Sequence, residues 1–410
     1  MMYNTVFYLI IGVLVFGYLL DLLLDCLNLR HTATTLPTEL EGIFDEEEYR
    51  KSQLYKRDNT RFSFLSSTLS LIFMGAVFFL GGFGWLDKLL SQHIESYILL
   101  VLAFFGVLGL AGDILSTPFS LYGTFVIEER YGFNRTTVKT FVLDKIKGWL
   151  VGGIIGGGLL ALITWIYMLT GAWFWIIALG VVTLFSVFMT MFYSNLIVPL
   201  FNKQKPLEEG SLRSRIEDFA TKVGFRLDNI YVMDGSKRSS KANAYFTGLG
   251  PKKRIVLYDT LIKDLKEEEI VSVLAHEVGH NKKKHTTTGL ILSIFQTAFT
   301  LYLFSLFVGE ESFALALGGT AASFHLGLIA FGILYSPLST LLGLGFNVIS
   351  RRHEYQADRY ARDNYNAEDL ISSLKVLSKN NLSNLTPHPA YVFVNYSHPT
   401  LLQRIRKLRV

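Results

Sequence analysis

Cysteine is almost missing from this 410-residue chain, in which Cys26 is the single one. One thiol excludes an intrachain disulfide and argues against thiolate ligation of a metal. Charge is sparse as well, with 18% Asp, Glu, Lys and Arg, where a soluble globular chain carries about 25%. Apolar residues make up 50% of the chain, and mean hydropathy is positive at +0.34. There is no internal repeat and no low-complexity tract. Residues 1–29 hold no Lys or Arg, and no small-residue cleavage pattern follows their apolar run. The expectation is a retained first membrane helix and not a signal peptide. The closing Leu408-Arg409-Val410 is neither a dilysine signal nor a CAAX box.

What is present is apolar sequence of membrane length. Seven segments, near 4–24, 65–84, 97–116, 149–169, 173–200, 286–308 and 313–349, cover the roughly 20 residues that a helical crossing needs. The last is overlong and is expected to bend or extend at Pro337. The fourth carries Gly152, Gly153, Gly156, Gly157 and Gly158, a surface that lets a neighbouring helix approach closely. Of the 39 Lys and Arg, all except Lys88 fall in the connections 25–64, 128–148, 202–284 and 350–410. The positive-inside rule makes that face cytoplasmic, with the N-terminus outside and the C-terminus inside. The same placement explains the net charge of +5 and the run Lys282-Lys283-Lys284 as basic anchors at a membrane helix. No nucleic-acid partner is expected.

The fold class is therefore mainly α, a polytopic membrane protein of seven transmembrane helices with a small cytoplasmic α+β unit. Residues 1–201 carry the first five helices and 202–285 the α+β unit. Helices six and seven occupy 286–349, and 350–410 form a cytoplasmic helical segment. In the unit, SLRSRIEDFATKVGF puts Leu212, Ile216, Phe219, Ala220 and Val223 on one helical face. NIYVM, ANAYF and RIVLY are short runs of strand character between turn signals.

Residues 273–285, VLAHEVGHNKKKH, contain His276-Glu277-x-x-His280. Four residues of helix rotate the chain by about 400°, so both imidazoles point at one ion. Glu277, beside the first ligand, is placed to act as general base on a water. A catalytic zinc takes a third protein ligand. Glu354 and Asp358 in SRRHEYQADRYA supply it: Glu354 to the metal, Asp358 behind a ligand histidine. Taken alone, that pair would read as surface charges balanced by Arg351 or Arg362. His285, nine residues past His276, would lie on the opposite face of a continuing helix and is not expected to be a ligand. His325, inside the seventh span, is expected to pack or hydrogen-bond. His398, before Pro399, reads as a helix-start residue.

HEVGH, EYQAD, SSKANAYF, KRIVLYDTLI and YSHPTLLQRI together resemble the type I CAAX prenyl endopeptidases, as do 127–147 and 199–217. That resemblance implies a zincin-like integral-membrane protease with one zinc per chain and seven helices around a water-filled chamber. It implies His276, His280 and Glu354 as ligands, Glu277 as base, and His398 as a stabiliser of the oxyanion. Asn243, Ala244 and Tyr245 become an edge strand that binds substrate backbone. The implied substrate is a peptide or lipidated protein, cut by a monomer bedded in membrane lipid. Asn281, where relatives often carry an aromatic, and a short outer loop between spans six and seven bear on specificity. The implied reaction is removal of the C-terminal tripeptide from prenylated CAAX proteins; the alternative, for a bacterial chain, is general cleavage of membrane-protein segments. The short loop leans toward a bacterial inner membrane, with the endoplasmic reticulum or inner nuclear membrane if the chain is eukaryotic, and the site facing the cytoplasm. A seven-helix receptor or transporter is the reading from another class, and it has no use for a metal.

Overall fold

The computed structural model describes residues 3–31, 36–225, 230–247 and 254–410. Six stretches are long and apolar enough to cross a membrane: Thr5–Arg30, Glu46–Phe79, Tyr97–Glu128, Val138–Phe201, His285–Phe307 and Phe324–Asn364. The fourth spans 64 residues and contains two long helices, Val138–Thr170 and Phe174–Leu196, joined by a turn at Gly171–Trp173, and ends in a short one, Val198–Phe201. Only 6% to 22% of each stretch's most apolar window is buried within the protein, so the apolar surface that remains suits lipid.

Several helix boundaries differ from the pattern-based expectation. The helix Glu46–Phe79 starts well before residue 65, because Asp45 and Glu48 form a capping box and Glu46 and Glu47 favour the helix dipole. The expected 313–349 helix is two pieces. A short helix, Glu311–Ala316, ends at a turn where Gly318 has φ 83, and a 41-residue helix then runs from Phe324 to Asn364 through Pro337. The connection after Phe307 is accordingly longer than the few residues expected.

Two hydrophobic cores hold the chain. One gathers the ends of the membrane helices around Phe7, Phe78, Phe104, Phe174, Phe304 and Phe324. The other belongs to the polar half. There β1 (Gln204–Pro206), β2 (Ile230–Met233), β3 (Ala244–Thr247) and β4 (Arg254–Tyr258) form one sheet in the order β1-β2-β4-β3. β2 and β4 are parallel, while β1 and β3 pair antiparallel with them. β3 is an edge strand among the described residues. Ile255 and Leu257 of β4 share this core with Ile270, Leu274 and Val278 of the helix Glu267–Lys282, which carries the histidine motif.

The motif helix starts after Lys266, whose backbone N–H donates to Glu269 at 2.8 Å. It stops at Lys283 because Lys284 adopts a left-handed conformation, φ 58, from which the membrane helix His285–Phe307 departs. Motif helix and long helix touch at Gly279, where an added Cβ would sit 3.0 Å from Ala357 Cα and 3.0 Å from Tyr360 Cβ. A methyl there would crowd the motif helix against the long helix. Gly279→Ala is expected to destabilise by about 1–3 kcal/mol and to weaken metal binding. Thermal unfolding with metal analysis checks this, and a variant matching the parent in both would refute the close-packing account.

Candidate metal centre

His276 and His280 lie on one face of the motif helix, with their Nε2 atoms 3.1 Å apart. Glu354, thirty residues into the long helix, brings Oε1 to 3.3 Å from His280 Nε2 and Oε2 to 3.4 Å from His276 Nε2. One ligand atom from each of the three residues lies within 4.8 Å of the others. Glu354 is only 4% exposed, and its buried Oε2 has no hydrogen-bond partner among the described residues. A buried carboxylate oxygen without a donor is costly, whereas a cation there would satisfy it together with the two imidazoles. The donor set fits a metal of the kind bound by nitrogen and oxygen.

Behind the ligands stands a second layer of charge. Asp358, four residues after Glu354 and 1% exposed, places Oδ1 2.9 Å from His276 Nδ1. Arg404 of the helix Leu401–Leu408 grips that carboxylate with two bonds, Nε at 2.9 Å and an Nη at 2.6 Å. The same guanidinium lies 3.8 Å from Glu354. Spacing alone does not single out Arg404. Thr400 and Gln403 cap its helix reciprocally, and that capping box was the available signal; nothing in the sequence marked the arginine's face as buried. Asp358 is not paired with Arg362, which meets Asp363 instead.

The remaining expected site residues fall at graded distances. His398 is 63% exposed and reaches Glu354 Oε1 at 3.3 Å, with Ser397 hydrogen-bonded to its Nδ1. Glu277 is half-buried and close enough to Arg404 to strengthen that cation. Asn243 precedes β3, and Ala244 and Tyr245 lie in it. The Asn243 carbonyl accepts from Tyr258 N–H at 3.1 Å, and its side chain accepts from Ala244 N–H at 2.8 Å. Tyr245 shares a polar contact with Ser194 and Gln204. His285 does not lie on the opposite face, because the motif helix ends at Lys283; instead His285 stands 3.1 Å from His280, on the ligand side. His325 is buried against Asp87 at 2.7 Å, within the far core.

Fold and site together define a membrane-embedded metallopeptidase. Residues 206–410 match peptidase family M48, and residues 25–203 match the CAAX prenyl protease N-terminal region of five membrane helices. The chain belongs to this family of CAAX-type membrane metallopeptidases. The CAAX prenyl protease 1 homolog of Arabidopsis thaliana is 36% identical over 408 residues, 97% of this chain and 96% of its own. CAAX prenyl protease 1 of Saccharomyces cerevisiae is 36% identical, covering 92% of this chain and 88% of its own. The crystal structure of S. mikatae Ste24p superposes with a TM-score of 0.93 at 33% identity, over 99% of this chain and 100% of that one.

Burial opposes a charge on His276, but the Asp358 and Glu354 carboxylates beside it outweigh burial and lift the imidazole from 6.5 to about 9. Proton and metal therefore compete for this ring, and loading a metal releases the proton. Apparent metal affinity should rise roughly tenfold per pH unit between about pH 7 and 9 and level off above. Chelator competition across that range measures it; an affinity flat with pH would contradict the assignment of His276 as a buried ligand.

Proposed function

We propose that the chain is a zinc endopeptidase that removes the C-terminal tripeptide from prenylated CAAX proteins. The observation that carries the reading is the convergence of His276, His280 and Glu354, in a chain whose relatives bear the name CAAX prenyl protease 1. Two imidazoles and one carboxylate suit a single zinc that keeps a position open for chemistry. When bound, that ion supplies Lewis acidity toward a peptide carbonyl and a water.

The protein supplies the rest. Glu277 takes a proton from the attacking water and returns it to the departing amine. Asp358 holds His276 through Nδ1 in the tautomer that leaves Nε2 bare. His398, exposed at the rim, donates to the oxyanion that forms on the carbonyl. Asn243, Ala244 and Tyr245 offer a sheet edge to which an extended substrate adds as a further strand.

The finer topology follows the charge map. Counting the two long helices of 138–201 separately gives seven crossings, and the one-sided Lys and Arg put the N-terminus outside, the C-terminus and site in the cytosol. A water-filled chamber is supported by the burial pattern of the long helix. Its buried residues lie at 324–331 and again at 354–361, with none between them. The zinc-bearing α+β unit, 202–285 with 350–410, closes the cytosolic end of helices 1–201 and 286–349. We take the working unit to be a monomer. The relatives above come from a plant and a yeast, and the connection after Phe307 is longer than expected. Both favour the endoplasmic reticulum or inner nuclear membrane over a bacterial inner membrane.

A second reading, cleavage of unfolded membrane-protein segments, draws on β3, because recognition through backbone at a sheet edge does not require a particular sequence. Purified protein offered a farnesylated CAAX peptide and its unprenylated twin separates the two. Zinc-dependent cleavage of the farnesylated peptide alone supports the first, cleavage of both the second, and cleavage of neither removes both. Glu277→Gln is expected to keep its zinc and lose roughly 10²–10⁴-fold in turnover; near-normal activity would remove Glu277 as the base.

A further inference from the structure

An imidazole that binds a metal through one nitrogen is oriented by whatever holds the other. Both ligand histidines here turn Nε2 toward the common centre and Nδ1 outward. His276 Nδ1 meets the Asp358 carboxylate. His280 Nδ1 meets a different kind of group, the Nδ1 of His285, at 3.1 Å. His285 Nε2 in turn lies 2.8 Å from Oε1 of Gln356. Its ring stacks on His353 with centroids 4.0 Å apart and planes 8° from parallel, so the imidazole can neither tilt nor rotate freely. The left-handed turn at Lys284 is what brings His285 back to the ligand side.

We propose that His285 is a positioning residue for the metal site, accepting the Nδ1–H of His280 and being fixed itself by Gln356 and His353. The order of hydrogens follows from the terminal acceptor. Gln356 Oε1 can only accept, so His285 Nε2 carries the hydrogen and a neutral His285 is bare at Nδ1. That bare nitrogen faces His280 Nδ1, which must supply the hydrogen. Neutral His280 is then bare at Nε2, the atom facing His276 and Glu354. The reverse order would place a hydrogen on His280 Nε2, where a metal has to bind. A neutral relay also supports His280 without adding a third carboxylate to Glu354 and Asp358. The inference rests on the metallopeptidase reading of the site and extends it to residues outside the His276, His280 and Glu354 triad.

The test is zinc affinity of the full-length protein in detergent, by chelator competition, with thermal unfolding of the metal-stripped protein alongside. His285→Phe keeps a flat ring on His353 and deletes the acceptor. It should bind zinc roughly 10–100-fold more weakly, with the Tm of the stripped protein unmoved. His285→Gln restores an acceptor oxygen and should recover most of that loss, which a purely space-filling role would not predict. Gln356→Leu should weaken zinc several-fold alone and add nothing to His285→Phe, because Gln356 reaches His280 through His285. Parental affinity in His285→Phe, or losses that simply add in the double variant, would overturn the proposal. Should His285→Phe fail to fold, unchanged affinity in Gln356→Leu overturns it by itself. No substrate is in the assay, so the result is independent of which peptide is cut. A parent protein that binds no zinc would instead sink the metallopeptidase reading.

Discussion

Two carboxylates and one guanidinium, buried together, set the terms for the polar half of this protein. Glu354 and Asp358 sit on the long helix and Arg404 on the helix near the C-terminus. Arg404 is spent on Asp358, at 2.6 and 2.9 Å, and is only distantly shared with Glu354. Glu354 is left to its histidine neighbours: a protonated His276 balances it from 3.4 Å, and a divalent cation held with the two imidazoles can take that place when the proton leaves. The requirement also acts on the fold, since the motif helix, the long helix and the last helix must meet in one register for these charges to find partners. Removing Arg404 would leave Asp358 buried without its bidentate partner, so the pair ties the C-terminal segment to the centre of the molecule.

The long helix shows how chemistry done in water can be mounted on a membrane span. From Phe324 to Glu354 a helix rises about 45 Å, while the hydrocarbon core of a bilayer is about 30 Å thick. The helix is therefore long enough to carry the acidic pair beyond the hydrocarbon that it crosses. The motif helix is joined to its own membrane helix by a sharper device, the left-handed Lys284, which turns the chain instead of extending it. One ligand-bearing helix is thus continuous with the membrane part and the other is hinged to it. Gly279 lets the two approach to a distance at which an added methyl would be crowded.

Much of this was legible from spacing, because spacing is what a helix converts directly into direction. His276 with His280, and Glu354 with Asp358, are four residues apart and could be paired without a structure. Three strands were readable as apolar runs bounded by turns. Gln204–Pro206 was not, since three residues ending in proline carry no strand signal, and proline is tolerated there only on an outer strand. The parallel pairing of β2 and β4 depends on a crossover that periodicity does not record. Arg404 resembled any basic residue of an amphipathic surface helix, because burial of a charge is decided by partners distant in sequence. His285 was misjudged for a different reason: extrapolating a helix through Lys283 and Lys284 assumed a rotation that one left-handed residue cancels. The end of the motif helix carried no glycine to announce it.

A second set of ion pairs gives the sheet edge the same frame as the metal ligands. The segment leading into β3 is held on both sides by groups from the apolar half. Arg238 makes a bidentate pair with Asp144, at 2.7 and 2.8 Å, on the helix Val138–Thr170. Lys241 bonds Glu128 at 2.9 Å, in the π-helical turn Gly123–Glu128, and lies over the Phe133 ring. Between them, Ser240 N–H donates to Phe133 O at 3.0 Å. Single exposed ion pairs contribute little. These are partly buried, share one short loop with backbone bonds, and act together, which is the circumstance in which such pairs fix geometry. The π-turn has its own place in this, because an extra residue in a helix re-aims the side chains that follow it. The edge strand is therefore referenced to membrane helices through 238–241, and the ligands through 354–358. The edge strand and the His276, His280 and Glu354 cluster are thus registered through the same membrane scaffold, although hardly anything in their own sequences connects them.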